Sequence, residues 1–217
     1  MHLGTRAVVI ILIVVSGLVV VLLVRNSLEP VPFNPGDRYP STKLDYMGVI
    51  YANRSDMYDW RGGYSETTDC PWGRIHNGID FFFYNNSPVI AAAPGYVEDV
   101  SWRENPDTTL NMYNIYVAIR FNATITVRYT FEPFTHVVGD QDRQLSILAV
   151  HKGDWVQKGD LIGQLLVVED SAHIHFGVVS GNEWIDPKPF YGESDLVEIM
   201  GFIHIYQPDW DISYPAP

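Results

Sequence analysis

The sequence predicts an all-β domain, mainly antiparallel, behind one N-terminal membrane-spanning helix. Short runs rich in Val, Ile, Tyr and Phe recur at 79–84, 89–93, 96–100, 115–121, 124–131, 145–150, 161–168 and 173–179. Turn signals separate them: Asn77-Gly78, Pro94-Gly95, Lys-Gly-Asp at 152–154 and again at 158–160, and Ser180-Gly181-Asn182. After residue 25 only 194–200 carries even a weak helical periodicity.

The N-terminal helix rests on Ala7 to Val24, which holds no charge and lies between Arg6 and Arg25. Its length matches the roughly 18 residues that span a ~30 Å hydrocarbon core. Val24-Arg25-Asn26 follows in place of a small-x-small cleavage site, so residues 1–25 read as an uncleaved transmembrane signal anchor. Arg6 on one side and Arg25, Arg38 and Lys43 on the other leave its orientation open. Residues 26–42, with four prolines, read as a semi-extended spacer. Residues 43–217 then form the folded domain, and the 217-residue chain fits one anchored domain better than two.

Fourteen Lys and Arg stand against 26 Asp and Glu, a net charge of −12. That balance supplies no basic footprint for nucleic acid and argues against simple electrostatic adhesion to an acidic polymer or anionic lipid. Cys70 is the only cysteine, so no disulfide forms within the chain, and a packed, inert thiol is expected there.

The chemistry concentrates in His76-Asn-Gly-Ile-Asp80 and His173-Ile-His175. Residues i and i+2 of a strand share a face, so His173 and His175 emerge side by side. Asn77-Gly78 is a tight-turn signal that lets Asp80 converge with His76. Two histidines and one carboxylate suit Zn²⁺, and three ligands leave a position open, as in hydrolytic rather than structural zinc sites. Other polar residues have plainer readings. Asp154 and Asp160 cap their own turns, and His136, His151 and His204 are ordinary half-buried or surface histidines. Tyr58, Trp60, Tyr64 and Trp72 form a packing cluster. Arg74 orients Asp80, binds a substrate carboxylate or makes a surface ion pair.

From about Gly73 to Phe190 the chain resembles the lysostaphin/LytM-type zinc endopeptidases. Arg74-Ile-His76-Asn-Gly-Ile-Asp80-Phe matches their first metal motif, and Val89-Ile-Ala-Ala-Ala-Pro-Gly95-Tyr-Val97 the strand-turn-strand after it. Val150 to Gly163 matches the glycine-punctuated hairpin, His173-Ile-His175-Phe-Gly177 the last motif, and Trp184-Ile-Asp-Pro187 the closing segment. The resemblance implies a lysostaphin-like fold of the duplicated-hybrid-motif type. It implies that His76, Asp80 and His175 ligate Zn²⁺ and that His173 is catalytic, facing the metal-bound water or the developing oxyanion. It also implies hydrolysis of cell-wall peptidoglycan peptides, with the domain on the extracytoplasmic side of the cell membrane.

One departure stands out. The family carries a further histidine in a Tyr-x-His step before the hairpin, where this chain reads Tyr129-Thr-Phe131-Glu132. Phenylalanine can neither bind an oxyanion nor carry a proton, and alternation points Glu132 away from the face of Phe131. Two expectations follow. The first is a membrane-anchored zinc endopeptidase, favoured because His76, Asp80, His173 and His175 are all present. The second is a catalytically weak or inactive zinc-binding domain of the same fold that regulates or scaffolds another envelope hydrolase.

Overall fold

The computed structural model describes residues 33–105, 109 and 111–215. The expected anchor at 7–24 lies outside the described residues, and no helix among those described is long and apolar enough to cross a membrane. Residues 34–217 form one compact unit.

In chain order the first strands are β1 (Met57–Gly62), β2 (Tyr64–Ser65), β3 (Ile79–Phe83), β4 (Pro88–Ile90), β5 (Gly95–Glu104) and β6 (Tyr113–Arg120). There follow β7 (Ile125–Glu132), helix α1 (Asp140–Ser146), β8 (Trp155–Val156), β9 (Leu161–Gln164), β10 (His173–Ser180), β11 (Glu183–Ile185), helix α2 (Glu193–Tyr206) and β12 (Ser213–Tyr214). The main sheet runs β1-β3-β10-β7-β6-β5-β8, with β11 added to β10. All its pairings are antiparallel. β4 pairs with β9, and β12 pairs with β2 in parallel. The expected mainly antiparallel β domain is therefore present.

Alternation decides which side of this sheet is core. On β7, Val127, Tyr129 and Phe131 are fully buried, whereas Arg128 and Glu132 are half-buried on the opposite face. Phe131 lies in one apolar row with Ile115 on β6 and, on its other side, Ile174, Phe81 and Trp60. The Tyr129 hydroxyl accepts the Ala92 amide proton at 2.7 Å, tying the core face of the sheet to the Ala-Ala-Ala-Pro turn.

Two local expectations change. The segment at 145–150, expected as a strand, begins inside α1, and its one ladder contact is the Leu148–Gly163 bridge. Asp140 takes the helix: its carboxylate accepts from Thr135 and Arg143, while the Gln144 side chain bonds the Gln164 carbonyl and the Leu166 amide. The weak periodicity at 194–200 becomes fourteen residues of α2, which opens on Glu193 and Asp195 and buries Ile199, Phe202 and Ile203. Val197 and Ile205 are exposed on its other side, and they blur the pattern in the sequence.

The Lys-Gly-Asp turns behave as read. Gly153 and Gly159 take φ of 105° and 91°, and Asp154 and Asp160 accept the amides of His151 and Gln157, each at 2.7 Å. The C-terminal tail packs on the domain: Trp210 and Tyr214 join the cluster of Trp60 and Trp72, and Ile212 is fully buried.

Candidate metal centre

The sheet register assembles the site. One row across it reads Ser101, Tyr116, Thr130, His175, Asp80 and Gly62, all on the face opposite the core. The next row places His173 opposite Glu132. His76 arrives from the loop before β3, pinned by two backbone hydrogen bonds with Ser65.

His76, Asp80 and His175 converge. His76 Nε2 lies 3.2 Å from His175 Nδ1 and 3.2 Å from Asp80 Oδ1, and His175 Nδ1 is 3.0 Å from that oxygen. Two ligands about 2.05 Å from one tetrahedral Zn²⁺ stand about 3.3 Å apart, so this triangle has the size of three zinc ligands. The tautomer agrees. His76 Nδ1 donates to the Gly63 carbonyl at 2.7 Å, which leaves the Nε2 lone pair facing the triangle. Arg74 donates to the other carboxylate oxygen, Oδ2, at 3.0 Å and orients Asp80. The residues thus fit zinc in donor type, spacing and orientation.

The chain bends at Asn77-Gly78 and Asp80 converges with His76 as expected, but the glycine has a further role. Gly78 does not have a positive φ. A Cβ there would lie 2.5 Å from the Phe176 carbonyl oxygen and 2.6 Å from His175 Nε2, so glycine is needed to let β10 and His175 approach.

His173 is held on every side. Its Nδ1 donates to the Ser171 carbonyl at 2.8 Å, and the rings of Phe82 and Phe134 flank it at 5.0 and 5.5 Å. Its Nε2 points to Asp80 Oδ1 at 3.4 Å and to Glu132 Oε2 at 3.8 Å. Burial pushes the His173 pKa down, but the charge of Asp80, its hydrogen bond and Glu132 outweigh this and raise it to about 9 in the metal-free protein. Burial likewise pushes Asp80 up, and the charge on His173 with hydrogen bonds from His173, His175 and His76 holds it well below the usual carboxylate range.

Phe131 is not beside this cluster. Its ring is fully buried in the core row, and the β7 residues that face the site are Thr130 and Glu132. The reading of Phe131 as the residue standing in a catalytic position is corrected accordingly: the group beside His173 is a carboxylate. The alternation Val127, Tyr129, Phe131 against Arg128, Thr130, Glu132 carries that parity in the sequence. Cys70 lies outside the metal-competent cluster, its thiol donating to the Arg74 carbonyl. His136 and His151 are exposed, and His204 contacts the Trp210 carbonyl.

A sequence model of peptidase family M23 matches residues 74–187, which takes in every member of this cluster. The chain belongs to peptidase family M23. Among solved structures, this M23 chain is similar to a zinc containing peptidase from Vibrio cholerae, at 22% identity and a TM-score of 0.46 over 69% of this chain and 41% of that one. It is similar to lysostaphin from Staphylococcus simulans, at 22% identity and 0.43 over 66% of this chain and 52% of that one. With the lysostaphin catalytic domain the figures are 21% and 0.39, over 63% of this chain and 93% of the domain. The chain thus spans less than half the length of the Vibrio peptidase. A search of curated proteins finds no match.

Proposed function

We propose that this M23 chain is a membrane-anchored zinc endopeptidase that hydrolyses peptide bonds of cell-wall peptidoglycan on the extracytoplasmic side of the membrane. The observation that carries the reading is the His76–Asp80–His175 triangle with His173 and Glu132 beside it, in an open cleft of about 390 Å³. The anchor rests on the uncharged stretch from Ala7 to Val24.

His76, Asp80 and His175 would hold the ion. Zinc in such a site supplies a Lewis acid for a peptide carbonyl and brings the pKa of its water near 7. His173 presents Nε2 to the same space, with its ring locked by Ser171, Phe82 and Phe134. There it can donate a hydrogen bond to a carbonyl oxygen that gains negative charge. Glu132 faces that nitrogen and can take up or return a proton through it or through a water between them. Arg74 keeps Asp80 turned toward the cluster.

The second reading is a regulatory domain with bound zinc and no turnover; the absence of a second catalytic histidine in the cluster, among the described residues, is what favours it. The full chain, purified in detergent, is assayed for zinc content and for release of peptide fragments from peptidoglycan. About one zinc per chain, with cleavage abolished by a chelator and restored by zinc, is the expected result. Stoichiometric zinc without cleavage of any muropeptide, under conditions where lysostaphin cuts its own substrate, would establish the regulatory reading instead.

A further inference from the structure

We propose that Arg128 anchors a free carboxylate of the peptide substrate, in a second compartment of the cleft next to the metal centre. The proposal rests on the endopeptidase reading above for the identity of the peptide, and it adds a recognition element to it.

The argument starts from the sheet. Arg128 lies two residues before Thr130 on β7, so it shares the face of Thr130 and Glu132 and sits about 6.7 Å along the strand from the metal row. Its own row reads Asp99, Ala118, Arg128 and Gly177. The two neighbours of Arg128 in that row are the small residues Ala118 and Gly177. Over Ala118 the sheet face opens into a cavity of about 480 Å³, lined by Arg128, Asp99, Arg103, Tyr116 and Lys152 among others. Tyr116 also lines the metal cleft, so the two compartments join at its ring.

Over Gly177 sits Trp184. A Cβ at 177 would lie 2.8 Å from the indole, so the absence of a side chain there seats the ring. Trp184, which lines the metal cleft, then links it to Arg128: its ring is 5.7 Å from the imidazole of His175 and 5.7 Å from the Arg128 guanidinium carbon. This contact positions the guanidinium but leaves its hydrogen-bond donors in hand.

One of those donors is unmet. Arg128 Nε is buried and finds no hydrogen-bond partner among the described residues. The nearby acids are otherwise occupied: Asp99 accepts from Ser101 at 2.7 Å, and Glu98 accepts from Thr126 at 3.2 Å and lies 4.0 Å from Arg120. Arg103 lies over Tyr116, and Lys152 is exposed at the rim. Three cations against two acids, Glu98 and Asp99, therefore line this compartment, a local excess of positive charge in a chain whose net charge is −12. A guanidinium fork held over a ring, with a buried donor unpaired, matches a carboxylate in shape and charge. An extended peptide advances about 3.3 Å per residue, so the carboxylate belongs one or two residues from the bond over the metal. It can come from an acidic side chain or from the end of the peptide.

The test uses the full chain and three synthetic stem peptides. One carries a free side-chain carboxyl and a free terminal carboxyl, and each of the others has one of these amidated. Cleavage of the zinc-loaded chain and binding to the metal-free chain, by calorimetry, are measured for the wild type, Arg128→Gln and Arg128→Lys. The expected result is a preference of about tenfold or more for the peptide with its carboxylate over one amidated twin, in both kcat/KM and Kd. Which twin loses identifies the source. In Arg128→Gln the ratio falls to about one, and Arg128→Lys keeps part of it. Zinc content and thermal unfolding verify that both variants fold. A wild type indifferent to amidation, or a preference that survives Arg128→Gln, overturns the proposal. If no peptide is cleaved but the binding preference depends on Arg128, the carboxylate site stands and the endopeptidase reading falls.

Discussion

The imidazole of His175 occupies the space into which any side chain at Gly78 would grow, with Nε2 only 2.6 Å from where a Cβ would begin. The Phe176 carbonyl closes the same space at 2.5 Å and cannot give way without moving β10. Gly78→Ala is therefore expected to displace His175. Overpacking of this kind costs about 1–3 kcal/mol, read by urea unfolding. Zinc affinity should fall with it, read by competition with a chromogenic chelator. Unchanged zinc affinity in a folded Gly78→Ala protein would contradict the ligand role of His175.

His175→Ala and Asp80→Asn each remove one corner of the triangle. Zinc retained after dialysis should drop from about one per chain to near zero, measured by atomic emission. Arg74→Ala leaves the three ligands and removes only the hydrogen bond that orients Asp80. Its zinc affinity is expected to fall by about 10- to 100-fold, the usual effect of losing an outer partner.

Positions 131 and 132 separate two explanations of the departure from the Tyr-x-His step. Phe131→His would bury an imidazole in the row of Ile115, Ile174, Phe81 and Trp60. It should destabilise the fold by about 3 kcal/mol and add no turnover. Glu132→Ala should keep its zinc and lose roughly 100-fold in kcat, as when a proton-transfer group is removed. Chemical unfolding and a peptide-release assay on both variants are the measurements. Restored or increased turnover in Phe131→His would return Phe131 to the site.

Arg54 holds the carboxylate of Glu198 on α2 through Nε at 2.9 Å and through Nη2, and the Tyr51 hydroxyl adds a bond at 3.1 Å. The Arg54 hydrogen bonds lower the pKa of Glu198 against the opposing effect of burial. A folded value below the unfolded one means that the pair stabilises above about pH 4.3 and loses its contribution as pH falls through the folded value. Arg54→Met should therefore be less stable than wild type at pH 7. The pair is two-fifths exposed, so the deficit is at most about 1 kcal/mol. Near pH 2 the difference should vanish, and urea titrations at the two pH values test the sign.

Much of the site was legible because it obeys short-range rules. His173 and His175 had to share a strand face, and Asp154 and Asp160 had to cap their turns. The orientation of β7 was equally legible in its alternating polarity. That alternation set Glu132 apart from Phe131, but the family step put the Phe131 face at the site, so Glu132 and Arg128 were not placed there. Gly78 was read for turn geometry when close packing against a distant strand governs it. The short polar α1 helix was not legible because what fixes it, the bonds from Gln144 to Gln164 and Leu166, spans twenty residues or more. The role of the tail was not legible at all: β12 pairs with β2 across most of the domain, and nothing local announces that contact.

That pairing has a consequence for how the candidate metal centre acquires its shape. The Tyr64 amide donates to the Ile212 carbonyl, and a Cβ on Gly63 would collide with that same oxygen. The Gly63 carbonyl is in turn the acceptor that fixes His76. The peptide backbone behind one member of the candidate metal cluster is thus braced by the last strand among the described residues. A domain in which β12 has not docked has its histidines and aspartate but not the brace that aims His76. The geometry of the candidate metal centre is therefore tied to the docking of the last described strand, and not only to the strands that carry its side chains.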